Sequence, residues 1–190
     1  MTINERVRAL CVLIVILFTA GSASAARTTA EPTRGIFGAK VGFMSRGNVG
    51  GDFDLQTEVG STGQIYTDFP LWGRLFGAAA FDFYYMEIVH DNNIMIDASF
   101  GLKYEFRMSH SNMLLRPGVA IGYGFLPEIN QIRASNYATV KVFLETHFPV
   151  SIKRAVVCEV GVFGAPTGGN AAVDVTLGPA YFVRVGLAFH

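Results

Sequence analysis

The sequence contains little charge and little cysteine, and each shortage excludes a class of protein. Lys and Arg together number 15, as do Asp and Glu, so the formal net charge is zero. No basic patch stands out, which argues against a nucleic-acid partner. Cys11 lies in an N-terminal apolar run, so cleavage after that run leaves Cys158 alone and no internal disulfide. The four histidines, at positions 90, 110, 147 and 190, lack metal-ligand spacing, and no cofactor is expected.

Long apolar runs are also missing after residue 25, although 51 % of all residues are hydrophobic. A membrane-spanning helix needs about 20 consecutive apolar residues. A chain that is apolar and rich in glycine (21 residues), yet has no such run, is typical of a β-barrel, in which apolar and polar residues alternate. The length after residue 25 suits one domain.

The N-terminus has the pattern of a secretory signal. Arg6 and Arg8 precede the apolar run Ala9–Ala20, and Ala23-Ser24-Ala25 supplies small residues for cleavage. The run is too short for a membrane helix, although a retained anchor is the alternative. We therefore predict a cleaved signal peptide over residues 1–25, a short periplasmic segment over 26–34 and a barrel over 35–190.

Turn signals divide the barrel region into eight candidate strands, which predicts an all-β, eight-stranded, antiparallel, up-and-down transmembrane β-barrel. Predicted connections include a first loop over Gly47–Thr62, a turn over His90–Asn93 and a Gly/Ala/Pro loop over Ala165–Asp174. An even number of strands places both termini in the periplasm. The predicted strands are Gly35–Arg46, Gly63–Leu71, Leu75–Val89, Ile94–Arg107, Met113–Phe125, Tyr137–Val150, Ala155–Gly164 and Val175–Phe189.

The last predicted strand shows the clearest alternation. One face is wholly apolar with an aromatic at each end, and the other carries Arg184 and small residues as well as Phe182. This pattern is typical of the closing strand of an outer-membrane barrel. Aromatic residues near strand ends, such as Trp72 and Tyr104, are expected at the membrane interfaces. The apolar face of the closing strand consists of Tyr181, Val183, Val185, Leu187 and Phe189.

Charged residues collect on the opposite, inward phase of the strands. An eight-stranded barrel has an interior only wide enough for side chains to fill it, so these charges are expected to pair and to plug the barrel. A narrow polar pathway beside Gly118, Ala120, Gly122 and Gly124 is the alternative. The predicted interior network comprises Lys40, Asp68, Asp82, Asp97, Lys103, Glu105, Arg116, Lys141, Glu145, Glu159 and Arg184.

On these features the chain resembles the small eight-stranded outer-membrane barrels of the OmpX, OmpA-transmembrane-domain and opacity-protein type. The resemblance implies a non-enzymatic, porin-like envelope protein in the bacterial outer membrane, with a structural role and surface contacts through its loops. The implied partners are outer-membrane lipid or lipopolysaccharide, the outer-membrane assembly machinery and an extracellular partner. One departure is His190, which follows Phe189, whereas these barrels usually end on the aromatic.

Three other interpretations compete with this one. A lipid A-modifying enzyme, similar to the deacylases, would use His110 and Ser111 or the pair Glu145 and His147. A soluble lipocalin-like barrel would turn the apolar phase inward and bind an apolar ligand. Calcium could bind the first-loop carboxylates Asp52, Asp54 and Glu58, although such residues are more often a solvated loop.

Overall fold

A computed structural model describes residues 35–52, 55–88, 91–108, 111–127, 134–170 and 172–190. The predicted signal peptide and the segment 26–34 lie outside these residues. Within the described part, eight long strands and three short ones, Asn48–Gly51, Leu55–Gln56 and Phe106–Arg107, make up the fold. The long strands are β1 (Ile36–Met44), β2 (Gly60–Trp72), β3 (Leu75–Ile88), β4 (Asp91–Tyr104), β5 (Leu114–Leu126), β6 (Ser135–Ser151), β7 (Arg154–Asn170) and β8 (Val173–Phe189).

The eight long strands form a closed antiparallel ring. Each strand pairs with the next along the chain, and β8 pairs with β1 to close the ring, with Phe189 opposite Phe37. Closure leaves no sheet edge among the long strands. The predicted all-β, eight-stranded, up-and-down barrel is therefore confirmed. Within the described ranges, no helix is long and apolar enough to cross a membrane.

The two ends of the barrel differ. At one end, which we call the turn end, lie the tight connections Gly73–Arg74 and Ile152–Lys153 together with the C-terminus. At the other end, the loop end, β7 and β8 run on past the predicted strand limits. Because Gly169 pairs with Asp174 and Asn170 with Val173, the predicted loop over Ala165–Asp174 is wrong.

Two further predictions at the loop end need correction. Asn93 pairs with Met86 in the β3–β4 ladder, so the predicted turn over His90–Asn93 is too long. The first loop is not simply solvated either, because Asn48–Gly51 pairs with β8 and continues the barrel wall beyond the end of β1. Val49 in this segment points inward and is only 1 % exposed. In both places strand pairing extends through residues whose composition favours turns.

Alternation places the apolar side chains outside and the charged ones inside. Val41 on β1 is 71 % exposed, and Ile121 on β5 is 70 % exposed. Trp72, at the turn end of β2, is exposed to 87 %. A water-soluble barrel would bury such residues, so the lipocalin-like arrangement, with its apolar phase inward, is wrong for this chain.

Candidate functional site

The charged residues predicted to face inward lie inside the barrel. Period-two alternation directs them there from all eight strands and from Glu105, at the end of β4. None is more than 3 % exposed. Two groups form within this interior, one in the middle of the barrel and one toward the turn end. The buried residues are Lys40, Asp68, Asp82, Asp97, Lys103, Glu105, Arg116, Lys141, Glu145, Glu159 and Arg184.

The middle group is built around Asp82 on β3. The Lys141 ammonium pairs with Asp82 and lies 3.0 Å from Asp97 Oδ2. Arg184 Nη1 lies 2.7 Å from Asp82 Oδ1. Two positive charges, from β6 and β8, thus converge on one carboxylate of β3, and this attraction offsets part of the cost of burying all three charges. Thr62 accepts a hydrogen bond of 2.7 Å from Arg184 Nη2.

The turn-end group is built around Glu145 on β6. Lys40 Nζ lies 2.5 Å from Glu145 Oε2, and Lys103 Nζ lies 3.2 Å from the same oxygen. Lys103 also pairs with Asp68 at 2.8 Å, while Arg116 pairs with Glu105 at 2.5 Å. Charges of both signs therefore alternate through this part of the interior.

Lys40 joins the two groups, because its ammonium also pairs with Glu159, which in turn lies 3.4 Å from Arg184 Nη1. Aromatic rings add further contacts: the Lys40 and Lys103 ammonium groups lie 4.2 and 4.5 Å from the centroid of the Tyr66 ring. A space of about 20 Å³ lies between Gln64, Ser99, Lys141 and Glu159, enough for about one water molecule.

The candidate catalytic pair Glu145 and His147 belongs to this network. His147 Nε2 lies 2.6 Å from Glu145 Oε1, and both side chains are fully buried. The remaining ring nitrogen of His147, Nδ1, has no hydrogen-bond partner among the described residues. Because the carboxylate is already shared by two lysines, it is held as part of an ion cluster. Of the other candidate pair, Ser111 lies in a bend after β4, and His110 lies outside the described residues.

Two of the three first-loop carboxylates make contacts with other residues of the protein. Asp52 Oδ2 accepts a hydrogen bond of 3.0 Å from the backbone N–H of Asp174, which ties the loop to β8. Glu58 pairs with Arg46 at 2.5 Å on the surface. Asp54 lies outside the described residues. Among those that are described, no group of three or more acidic, His or Cys side chains could hold a metal ion.

Toward the loop end, the interior is filled by an apolar cluster that the sequence analysis missed. Tyr84 and Phe163 stack with their ring centroids 4.4 Å apart, and methionines pack around them. The signal that could have found it is the position of apolar residues on the inward phase, which concentrate near the loop ends of their strands. The cluster comprises Met44, Val49, Tyr84, Met86, Met95, Leu126, Tyr137, Phe163, Ala165, Val175, Leu177, Ala180 and Phe182.

The closing strand places its alternate residues outside. Tyr181 is 65 % exposed, whereas Phe182 and Arg184 on the opposite face are buried. His190 turns back toward the barrel, because its backbone N–H donates to Lys153 O at 3.0 Å and its ring lies 6.4 Å from that of His147. Burial lowers the pKa of His190, and the nearby His147 and Arg116 lower it further. The outward residues of the strand are Tyr181, Val183, Val185, Leu187 and Phe189.

No protein-family model matches the chain, and no curated protein matches it. Solved structures do. Neisserial surface protein A (NspA) is similar with a TM-score of 0.58 and 9 % identity, over 80 % of this chain and 96 % of that one. The outer membrane protein OprG from Pseudomonas aeruginosa is similar with a TM-score of 0.56 and 8 % identity, over 83 % of this chain and 96 % of that one. The predicted resemblance to small outer-membrane barrels is confirmed at the level of the fold.

Proposed function

We propose that this protein is an integral outer-membrane β-barrel that strengthens the cell envelope, makes surface contacts through its loop end and conducts no solute along its axis. The observation that carries the proposal is the inversion of polarity: charged side chains are buried inside, and apolar ones are exposed outside. Such an exterior is stable only where hydrocarbon surrounds it. The fold shared with known outer-membrane barrels supports the same location.

The ion-pair network supports the absence of a pore. A conducting channel needs a continuous polar lumen, whereas here Lys141, Arg184 and Asp82 meet across the interior. The pairing of Glu145 with Lys40 and Lys103, which holds its carboxylate in an ion cluster, also favours a non-enzymatic role. The extended β7–β8 hairpin, joined to the first loop through Asp52, gives the loop end a paired surface suited to external contacts.

Three measurements test the proposal. Unboiled protein should migrate differently from boiled protein on a detergent gel, and solubility without detergent would overturn the membrane location. In planar bilayers the folded barrel should give no steady current, and a stable conductance would contradict the sealed interior. Lipid A from cells with and without the gene should have the same mass, whereas a gene-dependent mass change would identify a lipid-modifying enzyme.

A further inference from the structure

The barrel wall is interrupted between β7 and β8. Phe163 pairs with Ala180 and Ala165 with Leu177, so Gly164 on one strand and Gly178-Pro179 on the other are left out of the ladder. A proline has no N–H to donate to a neighbouring strand. The pairing of β7 with β6 also shifts here, between Gly164 and Thr167. The hydrogen-bonded wall is therefore irregular on both sides of one short stretch of β7.

An open groove of about 450 Å³ lies at this interruption. Its lining is apolar and includes Val140, Val142, Val162, Pro166 and Pro179, with Thr176 as the one hydroxyl among the described lining residues. Val140 and Val142 are exposed on the outer face of the barrel. The groove is therefore continuous with the apolar exterior that the proposed function places in the membrane.

The floor of the groove is apolar as well. Phe163, Leu177 and Gly178 line it, and the same three residues line a space of about 10 Å³ on the inner side of the wall. That inner space lies against Met44 and Met86 of the loop-end cluster. The floor thus separates the groove from an interior space that is mainly apolar, with Asn48 and Thr57 as polar neighbours. No charged side chain lines the groove or this inner space.

We propose that this groove binds one acyl chain of a lipid from the surrounding bilayer, a proposal that rests on the proposed membrane location. In a bilayer a concave apolar surface left unfilled forfeits dispersion contacts, because no partner atoms lie opposite its lining. An acyl chain is narrow, flexible and apolar, so it fits a groove whose walls offer no charge for a headgroup. Its hydrocarbon lies along Val142 and Val162, over the floor that Phe163 and Leu177 form.

A larger side chain substituted at Gly164 would fill the groove. A Cβ atom at Gly164 would meet Leu177 O at 3.6 Å, an ordinary contact, so a larger side chain can be accommodated. Gly63 on β2 is a matched control, because a Cβ atom there would meet Lys40 O at 3.8 Å and Gly63 does not line the groove. Gly164→Leu and Gly63→Leu add the same apolar side chain to different parts of the wall.

The experiment folds each protein into phosphatidylcholine vesicles, extracts it into mild detergent and measures retained lipid by native mass spectrometry. The wild type and Gly63→Leu should keep one phospholipid per barrel, and Gly164→Leu should lose it. Val162→Phe, which narrows the groove with a larger apolar side chain, should also lose the phospholipid. This variant replaces Gly164→Leu in the test if Gly164→Leu does not fold. Equal retention of phospholipid in all four proteins would overturn the proposal.

Failure of the groove and failure of the membrane location give different results. A barrel that inserts into vesicles and shows the heat-dependent gel shift, yet retains no lipid, contradicts the groove proposal alone. A protein that stays in solution and never inserts contradicts the membrane location, and the groove proposal falls with it.

Discussion

Toward the loop end the barrel interior is packed with apolar side chains, whereas its middle and turn end contain the ion pairs. A smaller apolar cluster, Ile36, Tyr66, Ala155, Val157 and Ala188, lies beside the ion pairs at the turn end. The charged part joins strands far apart in sequence: Lys40 on β1 meets Glu145 on β6. Each charge there needs a particular partner, since an unpaired buried charge is costly. The apolar part needs only volume and shape. The charged part therefore depends on the exact register of the ring, whereas the apolar part contributes packing.

The largest effect is expected from breaking the charged part. Lys141→Met keeps the length of the side chain but leaves Asp97 without its ion partner, which lies 3.0 Å away. Removing one partner of a buried pair costs about 3–5 kcal/mol. The urea midpoint of the barrel folded in vesicles should therefore fall sharply. Lys153→Met, at the exposed β6–β7 turn, is the control and should leave the midpoint nearly unchanged. Equal shifts in both variants would show that the ion pairs contribute little.

The same contrast explains what the sequence could predict. Period-two alternation is enough to place Lys141 and Glu159 inside and Val142 and Val160 outside. It cannot reveal which charges pair, because partners such as Lys40 and Glu145 are brought together only by the curvature and register of the ring.

The loop end was harder to predict for a different reason. The stretch Ala165–Asp174 is rich in Gly, Ala and Pro, so its composition favours a loop, yet tertiary pairing with β8 and the first loop extends it as strand. The apolar cluster was missed because Met86 and Phe163 stand on the same phase as the charges. Most inward apolar residues lie near the loop end of their strand, although a smaller set, including Ile36 and Val157, lies at the turn end.

A smaller effect is expected in the apolar part. Val49→Ala removes buried methyl groups from the segment that continues the wall above β1. The loss is about 1–2 kcal/mol from apolar burial and the cavity left behind. It should appear as faster proteolysis of the first loop and a modest fall in the urea midpoint. In Val59→Ala, where the valine is 57 % exposed, neither quantity should change. If the urea midpoint falls as far in Val49→Ala as in Lys141→Met, the proposed difference between the two parts is contradicted.

Tyr66 allows the ring and the hydroxyl to be tested separately in the charged part. Its hydroxyl is buried without a hydrogen-bond partner among the described residues, whereas its ring lies beneath two ammonium groups. Tyr66→Phe should therefore not lower the free energy of unfolding, and should raise it by up to about 1–3 kcal/mol, because the desolvation penalty of an unpaired hydroxyl is removed. Tyr66→Leu, which loses the ring, should cost about 1 kcal/mol through the lost cation–π contacts. If Tyr66→Phe costs as much as Tyr66→Leu, the hydroxyl contributes and the ring does not.

The smallest expected effect concerns the C-terminal residue at the turn end. Burial lowers the pKa of His190 below its ordinary value of 6.5, with His147 and Arg116 adding to the shift. Between the lowered pKa and 6.5 the unfolded chain binds more protons at this position than the folded barrel, so the free energy of unfolding falls as the pH decreases through that window. His190→Gln should remove this part of the pH dependence, and urea midpoints from pH 7.5 to 5 measure it. Parallel midpoint curves for the wild type and His190→Gln would mean that His190 titrates as freely in the folded barrel as in the unfolded chain.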